Sequence, residues 1–164
     1  MTTADRLRQF LITGGGLGYA PVASGTFGTL GGIALALALQ AFLDGPALIA
    51  GFWILAAALL AFGCSTSGYV ARTFPYEDPK PFVLDEIVGY LVTLGVACWF
   101  VGEPTALVHG IAFFVFRATD VLKLPPARQL EYLPGAAGIM LDDVAAGVQA
   151  GLLIALLSLT GVEF

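Results

Sequence analysis

Apolar residues gather into five long stretches separated by short polar breaks. The first runs from Phe27 to Leu43 and is broken by Asp44-Gly45-Pro46, and the second covers Ala47 to Gly63. The third covers Phe82 to Val101, with Asp85 and Glu86 near its start. The fourth, Thr105 to Thr119, is shorter and carries His109, and the fifth runs from Val144 to Val162. A helix that crosses a bilayer needs about 20 apolar residues, with roughly 17 a practical minimum. The second, third and fifth stretches meet that length, and the first and fourth are marginal. In lipid they must be helical, because hydrocarbon cannot satisfy the backbone of an open strand or loop. Ahead of them, Ala4 to Thr13 reads as a short amphipathic helix lying at the interface. The pattern predicts an all-α fold, a polytopic membrane helical bundle of about five spans with the fourth marginal and an N-terminal interfacial helix. A single domain covers residues 1–164.

Composition agrees. Of the 164 residues, 58% are hydrophobic and 12% charged, whereas a soluble domain carries about a quarter charged residues. Too little polar surface remains to cover a water-exposed globule. The net charge is −5, but the seven Lys and Arg residues form no basic run, which argues against nucleic-acid binding. Cys64 and Cys98 lie in apolar stretches without paired spacing and read as small buried hydrophobes. The first 26 residues do not read as a secretory signal, because Gly14–Gly16 interrupt a short apolar stretch.

The placement of charge changes the picture more than its amount. Arg6 and Arg8 precede the first span, Arg72 and Lys80 lie between the second and third, and Arg117, Lys123 and Arg128 lie at the end of the fourth and in the loop after it. The connections at 44–46 and 102–104, and the tail after the fifth span, hold no Lys or Arg. The positive-inside rule then puts the N-terminus and both long loops in the cytoplasm and the C-terminus outside. Asp44, Glu103 and Glu163 fall outside, and the other nine of the twelve acids are cytoplasmic. Six of those nine, Asp78, Asp85, Glu86, Asp120, Asp142 and Asp143, sit at or beside span ends.

Carboxylates at one depth on several helices repel one another unless a cation sits among them. Magnesium suits such a set, since it prefers carboxylate and water oxygens. The pairs Asp85/Glu86 and Asp142/Asp143 also suit helix N-termini, where the dipole favours acids. The glycine-rich segment 14–29, with Ser24, Thr26 and Thr29, could turn amides toward an anion ahead of a helix, or could be an interfacial turn with a Ser or Thr cap. Arg117, Asp120 and Lys123 fall three apart, which fits an ordinary helical charge ladder or a phosphate grip beside a metal ligand. Several chemistries lack their residues. His109 is the only histidine, the eight-residue spacing of Cys64 and Arg72 does not match a cysteine-phosphatase loop, and no Asp-x-Asp triplet occurs.

Four segments, taken in order, resemble the A-type phosphatidylglycerophosphatases. They are Gly16 to Thr29, Asp78-Pro79 with Val83-Leu-Asp-Glu-Ile-Val-Gly89, Phe116-Arg-Ala-Thr-Asp-Val-Leu-Lys123, and Gly138-Ile-Met-Leu-Asp-Asp-Val-Ala-Ala-Gly147. Three details depart from the family's usual pattern: Ser24 follows Ala23, Thr119 precedes Asp120, and Leu124 intervenes between Lys123 and Pro125. The resemblance implies a multi-pass enzyme of the bacterial inner membrane with its active site facing the cytoplasm. It implies magnesium-dependent hydrolysis of phosphatidylglycerophosphate to phosphatidylglycerol and inorganic phosphate, in glycerophospholipid synthesis, with membrane lipid as the surroundings. On this reading Asp85, Glu86, Asp142, Asp143 and Asp78 are metal ligands, and Asp85, Glu86, Asp143, Asp142 and Asp120 are catalytic. Gly25, Thr26, Thr29, Arg117 and Lys123 hold the substrate. Water or an aspartate is the nucleophile, and the oligomeric state is open. The rival of another class is a small divalent-cation carrier. Against it, outer-face acids are sparse, so one acidic face makes half a pathway. A phosphatidyl transferase would need an Asp-Gly-x-x-Ala-Arg element, which is missing.

Overall fold

A computed structural model describes residues 2–76 and 79–161, so Asp78, named above as a metal ligand, lies outside the described residues. Among those residues every regular element is a helix. The chain opens with α1 (Thr3–Ile12) and a tight 3-10 segment at Gly14–Tyr19. The long helices are α2 (Ser24–Gln40), α3 (Gly45–Ser65), α5 (Leu84–Val101), α6 (Ala106–Leu122) and α8 (Ala136–Leu159), with short α4 (Ser67–Thr73) and α7 (Ala127–Leu130) between them.

Local chemistry sets the helix ends. Thr2 and Asp5 form a reciprocal capping box at the start of α1, each side chain accepting the other's amide at 3.1 Å. Pro46 lies in the first turn of α3, where its missing N–H costs nothing. Gly135, at φ 68°, turns the chain into α8, and the Ala136 amide donates to Ser67 Oγ of α4 at 3.0 Å. Helix α8 therefore starts eight residues before the apolar stretch that signalled it. Asp142 and Asp143, expected to open a helix, lie well past its first turn, so a helix-end dipole does not explain them.

Three helices, α3, α5 and α8, are long and apolar enough to cross a membrane. Helices α2 and α6, at 17 residues each, are shorter, about 26 Å at about 1.5 Å per residue. Helix α5 is the central one: 72% of it is buried inside the protein, against 22% of α3. Past Asp85 and Glu86 its sequence is apolar all round, as suits a helix enclosed over most of its length. It packs on α8, α3, α2 and α6.

The tightest crossing is between α5 and α8. A Cβ added at Gly147 would run into the Gly89 carbonyl, and one at Gly89 would lie 2.8 Å from the Asp143 carbonyl. One turn on, a Cβ at Gly151 would lie 2.9 Å from the Thr93 carbonyl. Gly147 and Gly151 thus form a small-residue seam four apart, which lets two backbones approach without intervening side chains. Thr119 Oγ1 of α6 donates to the Ala146 carbonyl at 3.0 Å and fixes α6 to the same stretch of α8.

The far end of the bundle is held by a separate polar network. Gln40 Nε2 donates to the Pro104 carbonyl at 2.9 Å, which turns Gln40 Oε1 toward His109 Nε2, 2.6 Å away. Since Oε1 only accepts, His109 Nε2 carries the proton, and Nδ1 accepts from the Tyr90 hydroxyl at 2.7 Å. Both imidazole nitrogens are thereby engaged in holding α2, α5 and α6 together. Gly147→Val is expected to lower the thermal midpoint of detergent-purified protein by an amount equivalent to about 1–3 kcal/mol, the cost of overpacking a close contact. Gly110→Ala, at a position with nothing within 4 Å of the added carbon, should leave the midpoint level or raise it.

Candidate active site

The principal pocket opens among the starts of α2 and α5, the early turns of α8 and the end of α6, with a volume of about 730 Å³. Six carboxylates line it (Asp85, Glu86, Asp120, Glu131, Asp142 and Asp143), along with three cations, Lys80, Arg117 and Lys123. Two helices bring the central acids together. Asp85 is four residues before Gly89 on α5, and Asp143 is four before Gly147 on α8. Close packing at the two glycines therefore sets both carboxylates at one level. Oxygen atoms of Asp85, Glu86 and Asp143 lie within 4.8 Å of one another. Asp85 and Asp143 are buried, and the Glu86 side chain is only 14% exposed.

Such a trio suits a small hard cation. Glu86 Oε2 and Asp143 Oδ2 are buried with no hydrogen-bond donor on them, and a buried carboxylate oxygen in that condition calls for a cation. The donor set is all oxygen, as magnesium prefers. The carboxylates outnumber the cations two to one, so a phosphate entering alone would meet net repulsion.

Arg117 and Lys123 are already engaged. Arg117 Nη1 donates to Asp120 Oδ2 at 2.6 Å and lies 4.0 Å from Glu86 Oε1. Lys123 ends α6 in a left-handed conformation at φ 45°. That turn takes it off the helical ladder with Arg117 and Asp120 and points it across to α8. Its ammonium donates to Asp142 Oδ2 at 2.8 Å and to Glu131 Oε1 at 2.7 Å. Burial alone would lower its pKa, but the hydrogen bonds and charges of Asp142 and Glu131 outweigh burial and hold it above its ordinary value. Gln149 of α8 steadies this corner, donating to the Leu124 and Pro125 carbonyls at 3.2 and 2.9 Å.

The residues singled out in the sequence separate accordingly. Asp85, Glu86 and Asp143 converge. Asp142, expected among the metal ligands, has Oδ2 on Lys123 and Oδ1 accepting the Asp143 amide at 3.0 Å. Asp120 pairs with Arg117. Gly25 lines the pocket, and a Cβ there would lie 2.9 Å from Arg117 Nη1 and closer still to Glu86 Oε1. Thr26 and Thr29 do not line it. Thr29 is buried and its hydroxyl donates to the Gly25 carbonyl at 2.9 Å, while the Thr26 amide is bonded to the Ala23 carbonyl. The glycines at 14–18 form no anion cradle in the pocket. Gly14, Gly15 and Gly16 all have positive φ, and the Gly16 and Gly18 amides both donate to the Thr13 carbonyl. Glu131 and Lys80 also line the pocket, and no motif in the sequence marks either as a site residue.

The family described as phosphatidylglycerophosphatase A matches residues 10–158. A Bacteroides thetaiotaomicron protein named as a candidate phosphatidylinositol-3-phosphatase is 34% identical, over 87% of this chain and 88% of its own. Phosphatidylglycerophosphatase A of Haemophilus influenzae is 31% identical, over 89% of this chain and 85% of its own. The Escherichia coli protein of the same name is 31% identical, over 88% and 80%. No solved structure matches the chain significantly.

Lys123→Met should strand the buried Asp142 carboxylate, an effect of about 3–5 kcal/mol for breaking a buried pair. The double variant Lys123→Met/Asp142→Asn should recover much of that loss. Thermal melts of the two proteins in EDTA check the order, and equal midpoints would remove the pair from the stability of this corner.

Proposed function

The chain belongs to the phosphatidylglycerophosphatase A family and is a phosphoric monoester hydrolase, and on that premise we propose that it removes the terminal phosphate of phosphatidylglycerophosphate with magnesium. The single observation that carries the magnesium reading is the buried trio of Asp85, Glu86 and Asp143, whose oxygens lie within 4.8 Å of one another. These three are the proposed ligands. When bound, magnesium supplies positive charge against the phosphoryl oxygens and acts as a Lewis acid toward them.

The chain's own groups do the rest. Arg117, already aimed along the pocket wall by Asp120, orients the phosphate, and Lys123 contributes a second positive charge at the mouth. Gly25 lets the first turn of α2 approach closely enough to close that wall. Asp120 lies outside the trio and is assigned as proton acceptor from an attacking water. A substrate with two acyl chains stays in the leaflet and presents its head group to this layer. The alternation of Lys and Arg along the chain supports a cytoplasmic pocket in a bacterial inner membrane, with α2 and α6 completing five crossings. In that place the reaction serves glycerophospholipid synthesis.

The name of the Bacteroides relative introduces a second phosphomonoester lipid, one phosphorylated on an inositol ring. Purified protein should release phosphate from phosphatidylglycerophosphate in magnesium and stop in excess EDTA. Phosphatidylinositol 3-phosphate, run in parallel, should be the poorer substrate, and a reversed preference would move the assignment to inositol lipids. Asp143→Asn and Glu86→Gln should each lower kcat at least about a thousandfold, the scale of losing transition-state charge stabilisation. They should also abolish the rise in thermal midpoint that magnesium gives the unaltered protein. Near-normal turnover or an intact magnesium shift in either variant would remove that residue from the site.

A further inference from the structure

Lys123 presents its ammonium to two carboxylates that differ in how firmly they are held. The Asp142 side chain is 6% exposed, and its second oxygen is tied to the α8 backbone. The Glu131 side chain is 45% exposed and sits just past the four-residue helix α7, at the pocket rim. Any phosphate that uses Lys123 must approach beside these carboxylates, and only Glu131 can swing into water at small cost. We propose that Glu131 is a specificity-determining residue, a tethered carboxylate that competes for Lys123 and admits dianionic phosphomonoesters while turning away monoanionic phosphodiesters.

The argument is one of charge. A phosphodiester brings a single negative charge, the same as the Glu131 carboxylate it would displace, and Glu131 has the advantage of being attached. A phosphomonoester brings nearly two charges and further acceptor oxygens, so it gains by the exchange. A membrane surface is crowded with phosphodiester head groups, and without such a competitor they would have freer access to the Lys123 ammonium. The inference deepens the proposed function: the lipid left after hydrolysis carries only its diester, no longer outcompetes Glu131, and is released.

The test is equilibrium binding, which needs no turnover. Inorganic phosphate and dimethyl phosphate serve as monoester-like and diester probes. Both are titrated calorimetrically into the full-length protein in detergent with magnesium, at about pH 8 where phosphate is a dianion. The unaltered protein should favour phosphate strongly. Glu131→Gln should narrow that preference about tenfold, mainly through tighter dimethyl phosphate binding, in keeping with one charge-assisted hydrogen bond. Glu131→Ala, which also removes the charge, must narrow it likewise, so the outcome does not hang on one variant folding. In the Lys123→Met/Asp142→Asn background, Glu131→Gln should change nothing. An unchanged preference in both Glu131 variants, or equal narrowing without Lys123, would overturn the proposal. Loss of phosphatidylglycerophosphate turnover with the binding shift intact would count against the substrate assignment alone.

Discussion

The site depends on how closely two helix backbones can approach. Where α5 crosses α8, Gly89 and Gly147 face each other with no room for a side-chain carbon on either. Each glycine follows an aspartate by one helical turn, so the contact that joins the helices also fixes the separation of Asp85 and Asp143. Wider packing, with branched side chains at the seam, would draw the carboxylates apart and leave each buried acid alone. In lipid this seam cannot rely on the hydrophobic effect, because lipid tails are as apolar as the side chains, so van der Waals contact and interhelical hydrogen bonds hold it. The Thr119 bond to the Ala146 carbonyl contributes at the same level.

Charge balance follows from that geometry. Drawing the acids together creates an excess of negative charge, and the chain offsets part of it with Arg117 and Lys123 from the end of α6. Both cations are committed to carboxylates, Arg117 to Asp120 and Lys123 to Asp142 and Glu131. The pocket is therefore not a ready-made anion site. Three of its acids, Asp85, Glu86 and Asp143, are grouped closely enough to share a cation. The polar network of Gln40, His109 and Tyr90 at the other end has no part in this chemistry. It fixes the relative positions of α2, α5 and α6 there.

Much of this was legible along the chain. The apolar stretches mark the long helices to within a few residues, except at the start of α8, where the helix begins in a small-residue segment after Pro134-Gly135 that carries no strong apolar signal. The motif residues Asp85, Glu86, Arg117, Asp120 and Asp143 all line one pocket, from the first turn of α5, the last turns of α6 and the early turns of α8. The glycine-rich segment misled in part: its positive-φ glycines build a tight turn whose amides serve Thr13, and only the residues around Gly25 reach the pocket. Thr29 satisfies its hydroxyl on its own helix, as a buried threonine commonly does.

By itself the sequence determined that this is a helical membrane protein, where its long helices lie, and which segments carry its charged motifs. Hydropathy and charge act over whole segments and leave a one-dimensional trace. Only the tertiary structure decided which acids share a site and which are occupied by cations. Asp142 and Asp143 are neighbours in sequence, yet they face different partners because successive helical residues point about 100° apart. Asp85 and Asp143, separated by about a third of the chain, come together because two glycines allow their helices to touch, a distance that no spacing along the sequence encodes.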